Sequence, residues 1–271
     1  MLSGCVKMSL KKNYFVAVIR WLMLIIWLTV LPGLFFIGQL LKIEGRKKLP
    51  HIFHHGLCFI LSLKREYSGQ LHLERPCLYV SNHISYIDIF VLGGLPAYFI
   101  AKSEVANWPI LGPLSKFQNT LFIERSAGKA RSQLNLLKQH LSKGNSLTLF
   151  PEGTSTDGVH VESFKSSLFE AANLSDNENG DTSVKVAIQP ITVAYTHYNN
   201  EKIRDQRVRD NYAWYAKMPF AAHFFNLFTL KKVSVKIHYH PVCYLDDFES
   251  RKHCADHCHS VVLSKLEEFI K

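Results

Sequence analysis

Residues 77–88 read CLYVSNHISYID: an apolar run from Cys77 through Val80, then a polar break at Ser81, Asn82 and His83, then a second short run ending at Asp88. A brief apolar run that ends abruptly in polar residues has the pattern of a buried strand feeding a loop. The same texture repeats outward from it. Strand-like runs are predicted at 70–74, 97–101, 120–123, 146–150 and 184–195. The run 232–240 alternates strictly, with Val233, Val235, Ile237 and Tyr239 on one face. Helical patterns lie between them. At 129–143, Leu134, Leu137 and Leu141 form one stripe and Gly144 is placed to end the helix; a second pattern covers 164–173. Strands alternating with helices predict an α/β fold, a mainly parallel sheet flanked by helices. Residues 175–182, SDNENGDT, read as a polar surface loop, and no internal repeat is visible.

Ahead of this texture the chain is different. Residues 14–41 are almost wholly apolar, broken by Arg20 and by Pro32-Gly33. About 20 apolar residues suffice to cross a bilayer. Basic residues flank both ends, with Lys7, Lys11 and Lys12 before and Lys42, Arg46, Lys47 and Lys48 after. A single crossing would put one basic cluster on the outer side, against the positive-inside tendency, so a hairpin or re-entrant anchor is favoured over a plain span. Residues 51–63, HIFHHGLCFILSL, are too short to cross and read equally as an interfacial or a core helix. The division expected is a membrane-anchoring helical segment, 1–66, and an α/β domain, 67–271.

A formal charge of +10 and a pI near 9.3 call for a polyanionic partner. The apolar N-terminal segment, with no nucleic-acid motif after it, selects an anionic membrane over nucleic acid. The expected location is a membrane's cytoplasmic face, the inner membrane in a bacterium. Six cysteines (Cys5, Cys58, Cys77, Cys243, Cys254, Cys258) lack a disulfide-framework spacing and read as reduced thiols. The group His253, Cys254, His257, Cys258 and His259 has helix-face spacing for metal ligands. No partner motif of matching spacing accompanies it, so the expectation is a solvated terminal helix and no metal.

Three motifs follow strand-like runs, where open α/β sheets place their ligands. His83 with Asp88 is the minimum equipment for general-base work on an alcohol, a carboxylate fixing the imidazole tautomer. On a continuous helix, residues five apart diverge by about 140°, so His83 must lie in the loop and Asp88 near the next helix start. Arg125, just past the run 120–123, is placed to hold a phosphate by bidentate bonds; the plain alternative is a surface Arg beside Glu124. Pro151-Glu152-Gly153-Thr154 makes a sharp turn that could present N–H groups to an anion, or simply end a strand. No G-x-S-x-G elbow is present, which lowers the standing of a serine esterase.

Taken together and in order, Asn82-His83 with Asp88, Phe122-Ile123-Glu124-Arg125, Phe150-Pro151-Glu152-Gly153-Thr154, and 186–191 (VAIQPI) resemble the four motifs of the lysophospholipid acyltransferase family, the 1-acyl-sn-glycerol-3-phosphate acyltransferases. Ala101-Lys102 is also similar to the family pattern. The resemblance implies His83 as base and Asp88 as its partner. It implies Asn82, Arg125, Glu152, Gly153 and Thr154 on the acceptor side and Pro190 near the acyl pocket. It further implies an acyl-CoA or acyl carrier protein donor, a lysolipid acceptor, direct transfer without an acyl-enzyme, and no metal or organic cofactor. Two residues depart from the pattern: Asn119 stands where many members have Gly, and Ser155 where many phosphate-acceptor members have Arg. The tail, with Trp214, Met218 and His223, resembles a bacterial branch that includes lyso-ornithine lipid acyltransferases. The acceptor expected first is 1-acyl-sn-glycerol-3-phosphate, with a lyso-ornithine lipid second. Rival readings are thioester hydrolysis by water and a non-catalytic membrane-bound lipid-binding protein.

Overall fold

The computed structural model describes residues 12–43, 49–107, 112–113, 115, 120–124, 127–174 and 185–271. In chain order the helices are α1 (Tyr14–Leu40), α2 (Leu49–Ile60), α3 (Asp88–Val91), α4 (Ala130–Ser142), α5 (Gln206–Arg209), α6 (Phe220–Leu227) and α7 (Arg251–Ile270). The strands are β1 (Leu63–Gly69), β2 (Cys77–Ser81), β3 (Tyr98–Lys102), β4 (Leu121–Ile123), β5 (Leu147–Leu149), β6 (Ala187–Tyr198), β7 (Glu201–Lys202) and β8 (Val233–Tyr239).

The strands form one sheet in the order β1-β8-β6-β2-β5-β3-β4, with β7 hairpinned onto β6. From β6 to β4 every neighbouring pair is parallel. The β8 strand runs antiparallel to β6, and β1 runs parallel to β8. All five residues of β2 are buried, as expected of a strand covered on both faces. Two apolar cores result, one on each side of the sheet: Tyr79 contributes to one, and its strand neighbours Leu78 and Val80 to the other.

The α/β reading and six of its seven strand positions hold. The exception is 70–74, where no strand forms. The pairing strand is instead Leu63–Gly69, whose sequence LKREYSG carries too much charge to read as a strand but fits an edge position beside β8. It also crosses the division expected at 66/67. The pattern at 164–173 becomes a short 3-10 helix, Ser166–Ala172.

The hairpin anchor is corrected. α1 continues through Pro32 as one helix of 27 residues. Packing along one stripe fixes it to the rest of the fold. Ala17, Arg20, Leu24 and Leu31 are buried against the domain, and Trp27 Nε1 donates to the Phe53 carbonyl at 3.1 Å. Gly56 permits that approach, since a Cβ there would enter the Trp27 ring. Arg20, which interrupts the apolar run, donates to the Phe228 and Leu230 carbonyls and to Ser62 Oγ. The opposite side exposes Phe15, Val18, Leu22, Ile26, Phe36 and Leu40, among others. So large an exposed apolar surface marks a membrane-associated protein.

Candidate active site

The loop after β2 and the start of α3 bring His83 and Asp88 together. His83 Nδ1 lies 2.9 Å from Asp88 Oδ2. Asp88 is wholly buried, while the His83 side chain is 21% exposed. The same Oδ2 accepts from the backbone N–H groups of Ile84 (2.7 Å) and Ser85 (2.9 Å). The other oxygen, Oδ1, accepts from the Tyr195 hydroxyl at 2.8 Å. Four donors thus hold one carboxylate, and burial of so well-satisfied an anion is tolerable. The His83 ring stacks on Phe150, centroids 4.1 Å apart. With Nδ1 turned to buried Asp88, Nε2 is the nitrogen left to face a reactant.

Glu152 occupies a different role from the one the resemblance implies. It is 3% exposed and does not line the cavity described below. One oxygen accepts from the His83 N–H and the other from the Glu162 N–H at 2.7 Å. It braces the His83 loop against the segment that carries Glu162. Burial pushes its carboxyl up to about 8, against the pull of those two donors. Asn82 is likewise internal: Nδ2 donates to the Val193 carbonyl (2.9 Å) and Oδ1 accepts from the Val193 N–H (2.8 Å). Both bonds go to Val193, so the fully buried amide splices the loop to β6 and does not line the cavity. Pro190 sits in register with Val80 in the sheet interior and does not reach the cavity.

Gly153 and Thr154 do lie at the cavity. Gly153 has φ +75°, which only glycine adopts freely, and its N–H closes the turn onto the Phe150 carbonyl at 3.1 Å. A side chain there would also run into Lys165 Nζ. Ser155 Oγ donates to the Trp214 carbonyl, so the residue that replaces the family's usual Arg ties this turn to the C-terminal segment. Arg125 and Asn119 lie outside the described residues.

His83 opens into a cavity of about 640 Å³. Much of its lining is apolar, including Phe53, Phe90, Ile100, Ile123, Leu137 and Leu149. Lys102, Arg131, Lys165 and Arg251 also line it. Of these, Arg251 pairs with Glu170 at 3.0 Å. A largely apolar cavity with cations and a His–carboxylate pair suits an amphiphile with an anionic head. Tyr195 and Lys165 were missed in the sequence. Tyr195 stands 107 residues beyond the carboxylate it holds, inside an apolar strand, and nothing in its spacing marks it. Lys165 could have been suspected only from the polar stretch that follows the Gly153 turn.

The terminal helix is not solvated. Cys254, Ala255, Cys258, Val262 and Leu266 form its buried stripe, and α7 packs against β6. His253 and His257 face outward, and His259 bonds the Val161 carbonyl at 3.1 Å.

Comparison with known proteins agrees with this architecture. The chain is 38% identical over 189 residues to a lyso-ornithine lipid O-acyltransferase of Rhodobacter capsulatus, covering 69% of this chain and 64% of that protein. It is 40% identical to the Brucella abortus protein of the same name, over 58% of each. It is 29% identical to a 1-acyl-sn-glycerol-3-phosphate acyltransferase of Neisseria gonorrhoeae, over 72% of this chain and 68% of that one. The match thus spans less than two thirds of the first two relatives. The crystal structure of the 1-acyl-sn-glycerophosphate (LPA) acyltransferase of Thermotoga maritima superposes with a TM-score of 0.66 over 94% of this chain and 95% of that one, at 19% identity, and shares the fold. The pattern of the Acyltransferase family matches residues 42–194, more than half the chain, which therefore belongs to that family.

Proposed function

We propose that this protein transfers a fatty acyl group from a thioester, acyl-CoA or acyl carrier protein, to the free hydroxyl of a lysolipid at the cytoplasmic face of a membrane. One observation carries the reading: a His83–Asp88 pair with its carboxylate buried, opening into a largely apolar cavity of about 640 Å³, roomy enough for an acyl chain. His83 Nε2 takes the hydroxyl proton as the oxygen attacks the thioester carbonyl. Asp88 keeps Nδ1 protonated and stabilises the imidazolium. The tetrahedral intermediate collapses to the ester and expels the thiolate, which recovers the proton from Nε2. The thioester is already activated and the base is on the chain, so the transfer needs no covalent acyl-enzyme and no cofactor.

Two acceptors have support. The relatives with the higher identity carry the lyso-ornithine lipid name, and Ser155, tied to Trp214, puts no cation at its position. The cations Lys102, Arg131 and Lys165 around the cavity favour 1-acyl-sn-glycerol-3-phosphate, whose phosphate they would meet. We place the lyso-ornithine lipid first. The test supplies the purified chain with labelled acyl-CoA or acyl carrier protein and a panel of lysolipids, and identifies products by mass spectrometry. A diacylated lipid is the expected product. Free fatty acid alone, whatever the acceptor, would make the protein a thioesterase.

A further inference from the structure

Away from the cavity, three cysteines that are scattered in sequence converge. Cys254 and Cys258 are four apart on α7 and share its inward face. Cys243 follows β8 on a segment fixed by two backbone bonds to Ile188 of β6: its N–H donates to the Ile188 carbonyl at 2.9 Å, and its carbonyl accepts from the Ile188 N–H at 2.8 Å. The three Sγ atoms lie within 4.8 Å of one another, Cys243 and Cys258 at 4.0 Å. Cys254 and Cys258 are fully buried and Cys243 is 7% exposed. Cys243 is the partner that the motif reading at 253–259 lacked. It precedes Cys258 by fifteen positions, across a turn and the start of α7, with no recognisable spacing.

We propose that Cys243, Cys254 and Cys258 bind one zinc ion. Thiolates are the ligands that soft and borderline cations select. Zinc–sulfur bonds of about 2.3 Å place neighbouring sulfurs of a tetrahedral site about 3.8 Å apart. One pair already stands near that separation, and the others need to close by an ångström at most. Each thiol gives up its proton on coordination, so uptake of the ion releases up to three protons and leaves one net negative charge. Cys254 stands in the first turn of the 20-residue α7, where a helix N-terminus favours an anion. The fourth ligand of the tetrahedron would be a water, entering on the side of Cys243, the least buried of the three. The ion would fasten α7 to β6, an internal strand of the sheet. Arg251, the first residue of α7, lines the cavity, so occupancy of this site would fix one part of its lining.

The full chain, reduced and anaerobic in detergent, is titrated with cobalt(II) as a spectroscopic probe and then with zinc(II). One equivalent of cobalt should give a thiolate-to-metal charge-transfer band in the near ultraviolet, zinc should abolish it, and zinc should raise the melting temperature. Cys258→Ser should weaken uptake by at least the ~10–100-fold that even outer partners of metal sites contribute. Cys243→Ser serves the same purpose should Cys258→Ser fail to fold by circular dichroism. Cys58→Ser, whose thiol bonds the Phe90 carbonyl elsewhere, should bind as the native chain does. No band and no zinc-dependent melting shift in the native chain would overturn the proposal. So would a band that survives loss of Cys258 and of Cys243 alike, since the ion would then sit elsewhere.

Discussion

Asp88 shows how one residue is specified by its partners. Three donors converge on Oδ2 and one hydroxyl on Oδ1. Asparagine can retain this geometry by turning its NH2 toward Tyr195, whose oxygen can accept. Asp88→Asn should therefore fold normally yet lose the charge that stabilises the imidazolium. A fall in kcat of about 10²–10⁴ is expected, with KM nearly unchanged. Undiminished turnover would reduce Asp88 to a structural brace. Glu152 makes a pH-dependent contribution of its own. Its folded carboxyl binds a proton up to about pH 8, whereas the unfolded chain releases that proton near 4.5. The stability it contributes is complete below about pH 4.5 and is lost as pH rises toward 8, at a slope of at most about 1.4 kcal/mol per pH unit. Glu152→Gln, which cannot titrate, should flatten that part of the melting-temperature profile. Identical profiles for the two proteins would show that the carboxylate is charged throughout.

Among the elements, α1 departs most from what its sequence suggests. Length and hydropathy mark it as a membrane segment, and its exposed side supports that, but Arg20, Trp27 and the stripe from Ala17 to Leu31 make it part of the core. Hydropathy could not reveal this because both sides of the helix are apolar. Only Arg20 hinted that one side meets protein, and its partners at Phe228 and Leu230 lie some 210 residues away. Deleting residues 1–48 should accordingly destabilise the fold rather than merely free it from membranes. The sharper test is Leu22→Ser, Ile26→Ser and Phe36→Ser together, all on the exposed side. Each buried large apolar side chain contributes about 1.5–3 kcal/mol, so vesicle binding should fall by at least about 100-fold while melting in detergent is unchanged. Retention on vesicles would move the anchor to exposed Ile52, Phe59 and Phe225 or to the basic surface.

Across the whole molecule, the sequence was most informative where physics is local. Buried strands such as β2 declare themselves by composition, and a loop histidine with a carboxylate at the next helix start satisfies a simple angular argument. Long-range pairings were hidden. β1 is charged because it lies at the sheet's edge. Tyr195 reaches Asp88 across 107 residues, and Glu152 and Asn82 look like ligand-facing polar residues until their partners are seen to be backbone groups of the fold itself. Polar residues beside an active loop serve either purpose, and only burial separates the two. The central claim remains that His83 is the base of an acyl transfer. Its most direct test is the initial rate of lysolipid esterification by His83→Ala beside the native chain, both shown to be folded by melting. The expected result is a loss of about 10²–10⁴-fold with melting nearly unchanged; a folded variant within about threefold of the native rate, well short of that range, would contradict the mechanism.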